Sequence, residues 1–475
     1  MNTYTVNKQE DSFLFYDYET FGVHTALDKP CQFACIRTNL NLYIVNKPKI
    51  FYCYPPTDYL PNPISVLTNG ITPELTLKYG MNEFFFSEKI YNILNCTNTC
   101  IVGYNNINFD DEITRNIFYR NFLDPYTWSW KNNNSRIDLM YIIIACYALS
   151  PTGINWLYSE SRVPSFKLVD LTKCNNIIHN NAHTALSDVY ATINLFKLIK
   201  YKKPKLLNFF LKYRFKNNIK SLINIINYVP LIYISGIFGK LRNYITCIVP
   251  LFWNNKNINM LFFFDLYMNP VTLIEFIKNT SIKSMTFKKL FKLGINFLSI
   301  NKCPILIPIH FFTSYKLNHF GINITCYLKK IRILRKNIFL LQRVIFYVQS
   351  HIYRKFDNVD LQMYDAFFCW KDKKIMSRIH KDPIKQFKNK NLNFFDIRCK
   401  ELFFKCCARN FYDLLTQKEK NQWFIHRARM FSKLYIYNYV LKVRFLMGLY
   451  FHNCKKKKAL YHLLKYIIIF FFIYQ

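Results

Sequence analysis

Two carboxylates close together directly after a short apolar run constrain this chain more than any other feature. Residues 13–16, Phe-Leu-Phe-Tyr, have the length and composition of a buried strand, and Asp17 and Glu19 follow them. Residues two apart on an extended chain point to the same face, so the two carboxylates lie side by side. Burying like charges together is costly unless a cation joins them. The segment is therefore either a divalent-metal site or the solvated end of a strand.

A second acidic residue group follows a second apolar run. Residues 100–104 are apolar, and Asp110 comes shortly after them in an Asn-rich turn. Asp111 and Glu112 open a predicted helix, and an acidic first turn is favoured by the helix dipole. We therefore assign Asp110 as the ligand candidate and give Asp111 and Glu112 no chemical role.

A histidine and an aspartate, His183 and Asp188, complete the set. The amphipathic pattern predicts a helix over 182–200. A histidine at the start of this helix can lie next to a site that Asp188 reaches from the first turns of the same helix. Neutral imidazole has a pKa of about 6.5 and can take a proton from water near pH 7. The alternative is an ordinary histidine with no part in chemistry.

Together these residues are the inventory needed to hold two divalent metals and to activate a water against a phosphodiester. All the proposed ligands are oxygens, which favours Mg²⁺ or Mn²⁺ over Zn²⁺. The order of the motifs resembles that of the 3′→5′ exonucleases of the DEDD type, in their histidine variant.

The likeness extends to one family, the bacterial exodeoxyribonuclease I enzymes, and covers nearly the whole chain. This coverage separates the chain from smaller DEDD enzymes such as oligoribonuclease. The segments similar to that family are residues 15–22, 103–106, 114–122, 145–149, 153–156, 164–166, 188–192, 235–239, 300–304, 358–360 and 408–411.

The resemblance implies an α/β architecture in three parts. A ribonuclease-H-like exonuclease domain is expected over 13–200, an SH3-like β-barrel domain with flanking helices over 204–355, and a mostly helical domain over 358–475. β-rich runs between residues 231 and 307 agree with the barrel. In the family these parts form a clamp around single-stranded DNA, and a monomer is expected.

The resemblance also implies an activity. The chain is expected to degrade single-stranded DNA from the 3′ end to 5′-mononucleotides, in DNA repair and recombination. Asp17, Glu19, Asp110 and Asp188 would hold two Mg²⁺ ions, with Mn²⁺ as a substitute, and His183 would deprotonate the attacking water. Two alternatives stay open, an exoribonuclease of the same superfamily and a catalytically weak remnant that only binds single strands.

Alignment with the family also implies contacts to the strand. Lys167 replaces an arginine and keeps the charge without the bidentate fork, whereas Ile144 and Ser150 replace arginines without keeping it. Relatives bind the acidic C-terminal tail of single-strand-binding protein, which is a further expected partner. The expected substrate-binding residues are Glu19, Lys167, Arg115, Tyr126, Trp130, Lys216, Asn259 and Asn301.

The composition agrees with a polyanionic substrate without proving it. The formal net charge is +37, and 17 of the 28 acidic residues lie in residues 1–200, around the proposed metal site. An AT-rich genome would enrich lysine independently of function. The chain has only 10 glycines and no glycine-rich phosphate loop, which argues against a nucleotide-hydrolysing motor.

The cysteines and the apolar run near the C-terminus indicate where in the cell the protein is expected. The 15 cysteines show no metal-binding spacing, and with no signal peptide they indicate reduced thiols in the cytoplasm. The apolar run at 466–474 is too short for a helix to span about 30 Å of hydrocarbon. We therefore expect a C-terminal helix that packs on its own domain, and no membrane association.

Overall fold

The structure is a computed structural model that describes residues 11–180, 184–350, 356–389 and 392–474, with side chains as far as residue 469. The chain divides into two compact units. The first combines residues 1–135, 178–193 and 355–475, and the second combines residues 136–177 and 194–354. The predicted domain boundaries stay a prediction.

A mixed five-stranded sheet carries the acidic motifs. Its order is β3-β2-β1-β4-β5, with β1 antiparallel to β2 and parallel to β4. The strands are β1 (Ser12–Thr20), β2 (Pro30–Asn39), β3 (Lys49–Tyr52), β4 (Thr99–Gly103) and β5 (Ser135–Asp138).

Strand β1 confirms the first sequence prediction and extends it. The apolar run at 13–16 is buried, and the strand continues through Asp17 to Thr20. A register irregularity against β2 falls between Glu19 and Thr20. The paired carboxylates therefore lie on the regular part of the strand, directly before that irregularity.

Helices alternate with the strands of the first sheet along the chain. The turn after β4 requires a left-handed Asn105, with φ of 59°, before the next helix opens at Asp110. The helices of the first unit in this stretch are α1 (Pro63–Asn69), α2 (Pro73–Tyr79), α3 (Glu83–Leu94) and α4 (Asp110–Arg120). Helix α7 (Ala185–Lys202) runs from the first unit into the second, and the second unit contains α5 (Leu139–Leu149), α6 (Leu168–Cys174), α8 (Pro204–Lys212) and α9 (Lys216–Ser221).

The second unit contains a fully antiparallel sheet of order β10-β6-β7-β8-β9. It confirms the β-rich prediction between residues 231 and 307. Its strands are β6 (Leu231–Ile234), β7 (Ile245–Trp253), β8 (Met260–Asp265), β9 (Ile295–Ser299) and β10 (Ile305–Pro308). Its further helices are α10 (Pro270–Asn279), α11 (Phe287–Lys292), α12 (Ser314–His319), α13 (Ile324–Lys336) and α14 (Ile338–Ser350).

The C-terminal part of the first unit is helical, as predicted. Leu460 and Leu463 of its last helix are buried in a cluster with Phe21 and Val66, so this helix packs on the protein itself. The helices are α15 (Trp370–Lys381), α16 (Pro383–Asn389), α17 (Ile397–Asn410), α18 (Gln417–Met430), α19 (Lys433–Leu449) and α20 (Cys454–Tyr474). Among the described residues, no helix has the length and apolarity needed to cross a bilayer.

A buried ion network joins the C-terminal helices to the body of the first unit. Arg409 of α17 makes a 2.8 Å contact with Asp58 and a 2.7 Å contact with Asp360, and all three side chains are less than 10% exposed. A second buried pair joins Glu83 of α3 to Arg120 of α4 at 2.7 Å. Because an unpaired buried charge is very costly, each member of these pairs requires its partner in place.

Candidate metal centre

Strand β1 and helix α7 bring three of the predicted ligands together. One carboxylate oxygen from each of Asp17, Glu19 and Asp188 lies within 4.8 Å of the other two. Asp17 and Glu19 share a face of β1 because they are two apart, and Asp188 lies in the first turn of α7. Three carboxylates that converge this closely can coordinate a divalent cation.

The fourth predicted ligand, Asp110, lies beside this group. It is the first residue of α4, its side chain is buried, and its Oδ1 accepts a 3.0 Å hydrogen bond from the backbone N–H of Tyr18. Tyr18 lies between Asp17 and Glu19 in the sequence, so this hydrogen bond ties Asp110 to the part of β1 that carries both carboxylates. The charge of Asp110 is close enough to raise the pKa of Asp17.

The electrostatics of the group point to a cation. Burial, followed by the charges of Asp110, Glu19 and Asp188, raises the pKa of Asp17 well above its ordinary value. Burial, followed by the charge of Asp188, raises the pKa of Glu19 to about 8. Mutually repelling carboxylates with only oxygen donors fit Mg²⁺ or Mn²⁺, which would remove the repulsion.

The other two acidic residues of α4 have structural partners. Asp111 is fully buried and accepts hydrogen bonds from the Tyr16 hydroxyl and, at 3.3 Å, from the Asn106 amide. Glu112 forms a 2.6 Å ion pair with Arg115. These contacts agree with the decision to give neither residue a chemical role.

The predicted proton acceptor, His183, lies outside the described residues. A different histidine of the same segment reaches the group, because His179 Nε2 lies 2.5 Å from Asp188 Oδ1. Sequence reasoning missed His179. The only signal was its position four residues before His183, and no local pattern distinguishes it from an ordinary loop histidine.

Two side-chain amides anchor the backbone around the carboxylates. Gln32 of β2, the cross-strand neighbour of Glu19, accepts a 3.1 Å hydrogen bond from the backbone N–H of Ala185 at the start of α7. Asn69 donates to the Thr20 carbonyl at 3.1 Å, and its hydrogen bond to Glu19 opposes the rise in pKa of that carboxyl. The first turn of α7 is therefore tied to the sheet beside Glu19.

The residues of the first unit that are expected to contact the DNA strand have different environments. Trp130 is 63% exposed, whereas Tyr126 is half-buried and donates to the Met363 carbonyl at 3.1 Å. Arg115 is only 6% exposed and pairs with Glu112. Contact of these three residues with a strand stays a prediction.

The expected contacts of the second unit also stay predictions. Lys167 and Lys216 are exposed. The Asn259 side-chain oxygen is buried and has no partner among the described residues, and the Asn301 carbonyl accepts from Arg136 at 2.6 Å.

The two positions that lack expected arginines differ from each other. Ile144 is buried on α5, so its apolar side chain belongs to the core. At Ser150 the Lys203 ammonium donates to the hydroxyl at 2.7 Å. A cation is therefore retained close to Ser150, although a different part of the chain supplies it.

Family models agree with the predicted order of an exonuclease part, an SH3-like part and a C-terminal part. An exonuclease model matches residues 14–196, an exonuclease I SH3-like domain model matches 214–348, and an exonuclease I C-terminal domain model matches 357–468. With the acidic group on β1, α4 and α7, they define the class of this protein, a metal-dependent exonuclease with a ribonuclease-H-like catalytic part.

Curated relatives identify the family. The chain is 50% identical over 467 residues to exodeoxyribonuclease I of Buchnera aphidicola subsp. Schizaphis graminum, covering 97% of this chain and 96% of that protein. It is 39% identical over 460 residues to the Escherichia coli K12 enzyme, covering 95% and 96%. The chain belongs to the exodeoxyribonuclease I family.

Solved structures of similar proteins match the whole architecture. E. coli exonuclease I with a dA16 oligonucleotide matches with a TM-score of 0.89 and 37% identity, and an ExoI/SSB-Ct complex with 0.89 and 36%. A zinc-bound E. coli ExoI–ssDNA complex matches with 0.87 and 37%. Each match covers 97% of this chain and 100% of the other.

Proposed function

We propose that this chain hydrolyses single-stranded DNA from the 3′ end, releases 5′-mononucleotides and acts in DNA repair and recombination. The observation that carries the proposal is the convergence of Asp17, Glu19 and Asp188 within 4.8 Å of one another, beside Asp110, in a chain of this family. The relatives' complexes with DNA oligonucleotides support the substrate class.

We assign the metal as Mg²⁺, two ions held by Asp17, Glu19, Asp110 and Asp188, with Mn²⁺ as a substitute. The oxygen-only donor set supports these ions, although zinc is bound in one E. coli complex. When bound, such ions supply Lewis-acid stabilisation of the phosphate and lower the pKa of water. We assign the removal of the water proton to an imidazole nitrogen of His183.

We assign binding of the DNA strand to side chains outside the acidic group. The exposed Trp130 ring offers a face for a base, and the exposed Lys167 and Lys216 offer charges for phosphates. The acidic tail of single-strand-binding protein is the proposed protein partner, supported by the relative's complex with SSB-Ct and by the net charge of +37.

The first experiment incubates the purified chain with single-stranded DNA labelled at the 3′ or the 5′ end, with Mg²⁺ or with EDTA. We expect immediate release of the 3′ label as a mononucleotide, late release of the 5′ label, and no cleavage in EDTA. Tight, salt-sensitive binding without any cleavage would instead support a binding remnant.

A variant tests the assignment of the ligands. Asp188→Ala is expected to abolish cleavage and to leave strand binding within about threefold, because the proposed strand contacts are elsewhere. Asp11→Ala removes an exposed carboxyl that precedes β1 and serves as the matched control. Loss of binding with residual cleavage in Asp188→Ala would contradict the assignment.

A further inference from the structure

A buried imidazole contacts one member of the acidic group. His179 Nε2 lies 2.5 Å from Asp188 Oδ1, and the histidine side chain is 4% exposed. When Asp188 is ionised, its carboxylate can only accept a hydrogen bond, and the imidazole Nε2–H is then the donor. The contact belongs entirely to the first unit and joins the segment before α7 to the first turn of that helix.

The contact with His179 restricts the Asp188 side chain, whereas the backbone hydrogen bonds of α7 fix only the helix turn that carries it. The backbone of the first turn of α7 is fixed, since Asp188 N–H donates to the Thr184 carbonyl and Ala185 N–H donates to Gln32. The Asp188 side chain has two rotatable bonds beyond that backbone, and one of its oxygens lies within 4.8 Å of a carboxylate oxygen of both Asp17 and Glu19. The hydrogen bond with His179 restricts rotation about those bonds.

We propose that His179 is a positioning residue, which holds the Asp188 carboxylate in the orientation for metal binding and is distinct from the proton acceptor assigned to His183. The inference rests on the proposed function. The imidazole engages Oδ1 of the carboxylate that converges with those of Asp17 and Glu19. Partners that hydrogen-bond to metal ligands typically contribute about 10–100-fold to metal affinity.

The test measures Mn²⁺ binding by electron paramagnetic resonance, with no DNA present. His179→Ala is expected to weaken Mn²⁺ binding by about 10–100-fold. His179→Gln is expected to stay within about threefold of the natural protein, because its amide Nε2 can reach the same carboxylate, whereas the shorter His179→Asn should resemble the alanine variant. Cleavage by His179→Ala should recover as Mn²⁺ is raised.

The matched control is His183→Ala, four residues away in the same segment. It is expected to lose cleavage at every Mn²⁺ concentration while Mn²⁺ binding stays unchanged. Thermal unfolding in EDTA checks that each variant folds, and the comparison of the glutamine and asparagine variants separates positioning from a general loss of structure.

Two results would overturn the inference. Unchanged Mn²⁺ binding in His179→Ala would show that Asp188 needs no partner, and tighter binding would show that the imidazole competes with the metal. In both cases the natural protein still binds Mn²⁺ and cleaves DNA. If the natural protein does neither, the proposed function itself is wrong.

Discussion

The carboxylate group makes the metal-free protein less stable as the pH rises, and Glu19 is the residue with which to measure this. Its pKa is raised from 4.5 to about 8 in the folded state, first by burial and then by Asp188. The folded protein therefore keeps a proton that the unfolded chain releases between these values. The contribution of Glu19 to stability is therefore fully present below pH 4.5 and is lost as the pH rises through 8.

The size of the effect follows from the same values. A rise in pKa from 4.5 to about 8 corresponds to about 5 kcal/mol at high pH, at 1.36 kcal/mol for each tenfold change in proton affinity. Because Glu19 is partly exposed, solvent screening reduces this to about 2–3 kcal/mol. Glu19→Gln removes the charge and should recover that amount at pH 8.

The assay is calorimetric unfolding in EDTA at pH 5 and pH 8. At about 1 °C per kcal/mol for a chain of 475 residues, Glu19→Gln should unfold about 2–3 °C above the natural protein at pH 8 and within about 1 °C of it at pH 5. Saturating Mg²⁺ should reverse the order, because the natural protein gains more from the metal. Asp11→Asn, an exposed carboxyl change, is the control and should show neither effect.

One outcome would refute this reasoning. If Glu19→Gln changes the unfolding temperature by the same amount at both pH values, the carboxylates do not repel in the folded state, and the electrostatic argument for a cation is lost.

Two further predictions concern the buried ion pairs. Burial raises the pKa of Glu83, but the charges of Arg120 and Lys29 and the hydrogen bonds from Arg120 and Asn121 together outweigh it and lower the pKa to about 2. These partners of Glu83 contribute up to about 3 kcal/mol, which is lost as the pH falls from 4.5 through 2. Glu83→Gln should therefore unfold with a flatter pH dependence between pH 5 and 2, measured by circular dichroism, and an unchanged slope would contradict this. Arg409→Met should cost about 3–5 kcal/mol in denaturant unfolding because Asp58 and Asp360 stay buried without their cation; a loss below 1 kcal/mol would show that the network relaxes.

The parts of the site that sequence could predict are those with a local pattern. Asp17 and Glu19 follow an apolar run, and a strand places them on one face whatever the tertiary fold. Asp188 lies on a helix with clear periodicity, and α7 forms close to the predicted bounds. The convergence of β1 and α7 came from the family resemblance, because no local rule brings residues 17 and 188 together.

The parts that sequence could not predict depend on tertiary contacts. His179 reaches Asp188 because its segment folds back on α7, and no spacing rule indicates that contact. Lys203 brings a cation to Ser150 from 53 residues away. Arg115 is different, because its ion pair with Glu112 is an ordinary i, i+3 pair that helix geometry alone could have indicated.

The Arg409 network also delays the completion of the first unit during synthesis. Its partners Asp58 and Arg409 are separated by 351 residues, which a ribosome adds in about 20–70 s at 5–20 residues per second. During that time Asp58 lacks its ion-pair partner Arg409, and the rings of Phe84, Tyr119 and Phe122 lack the C-terminal helices against which they pack in the folded protein. We therefore expect chaperones that bind apolar surfaces to bind the nascent exonuclease part until about the last 120 residues have left the ribosome.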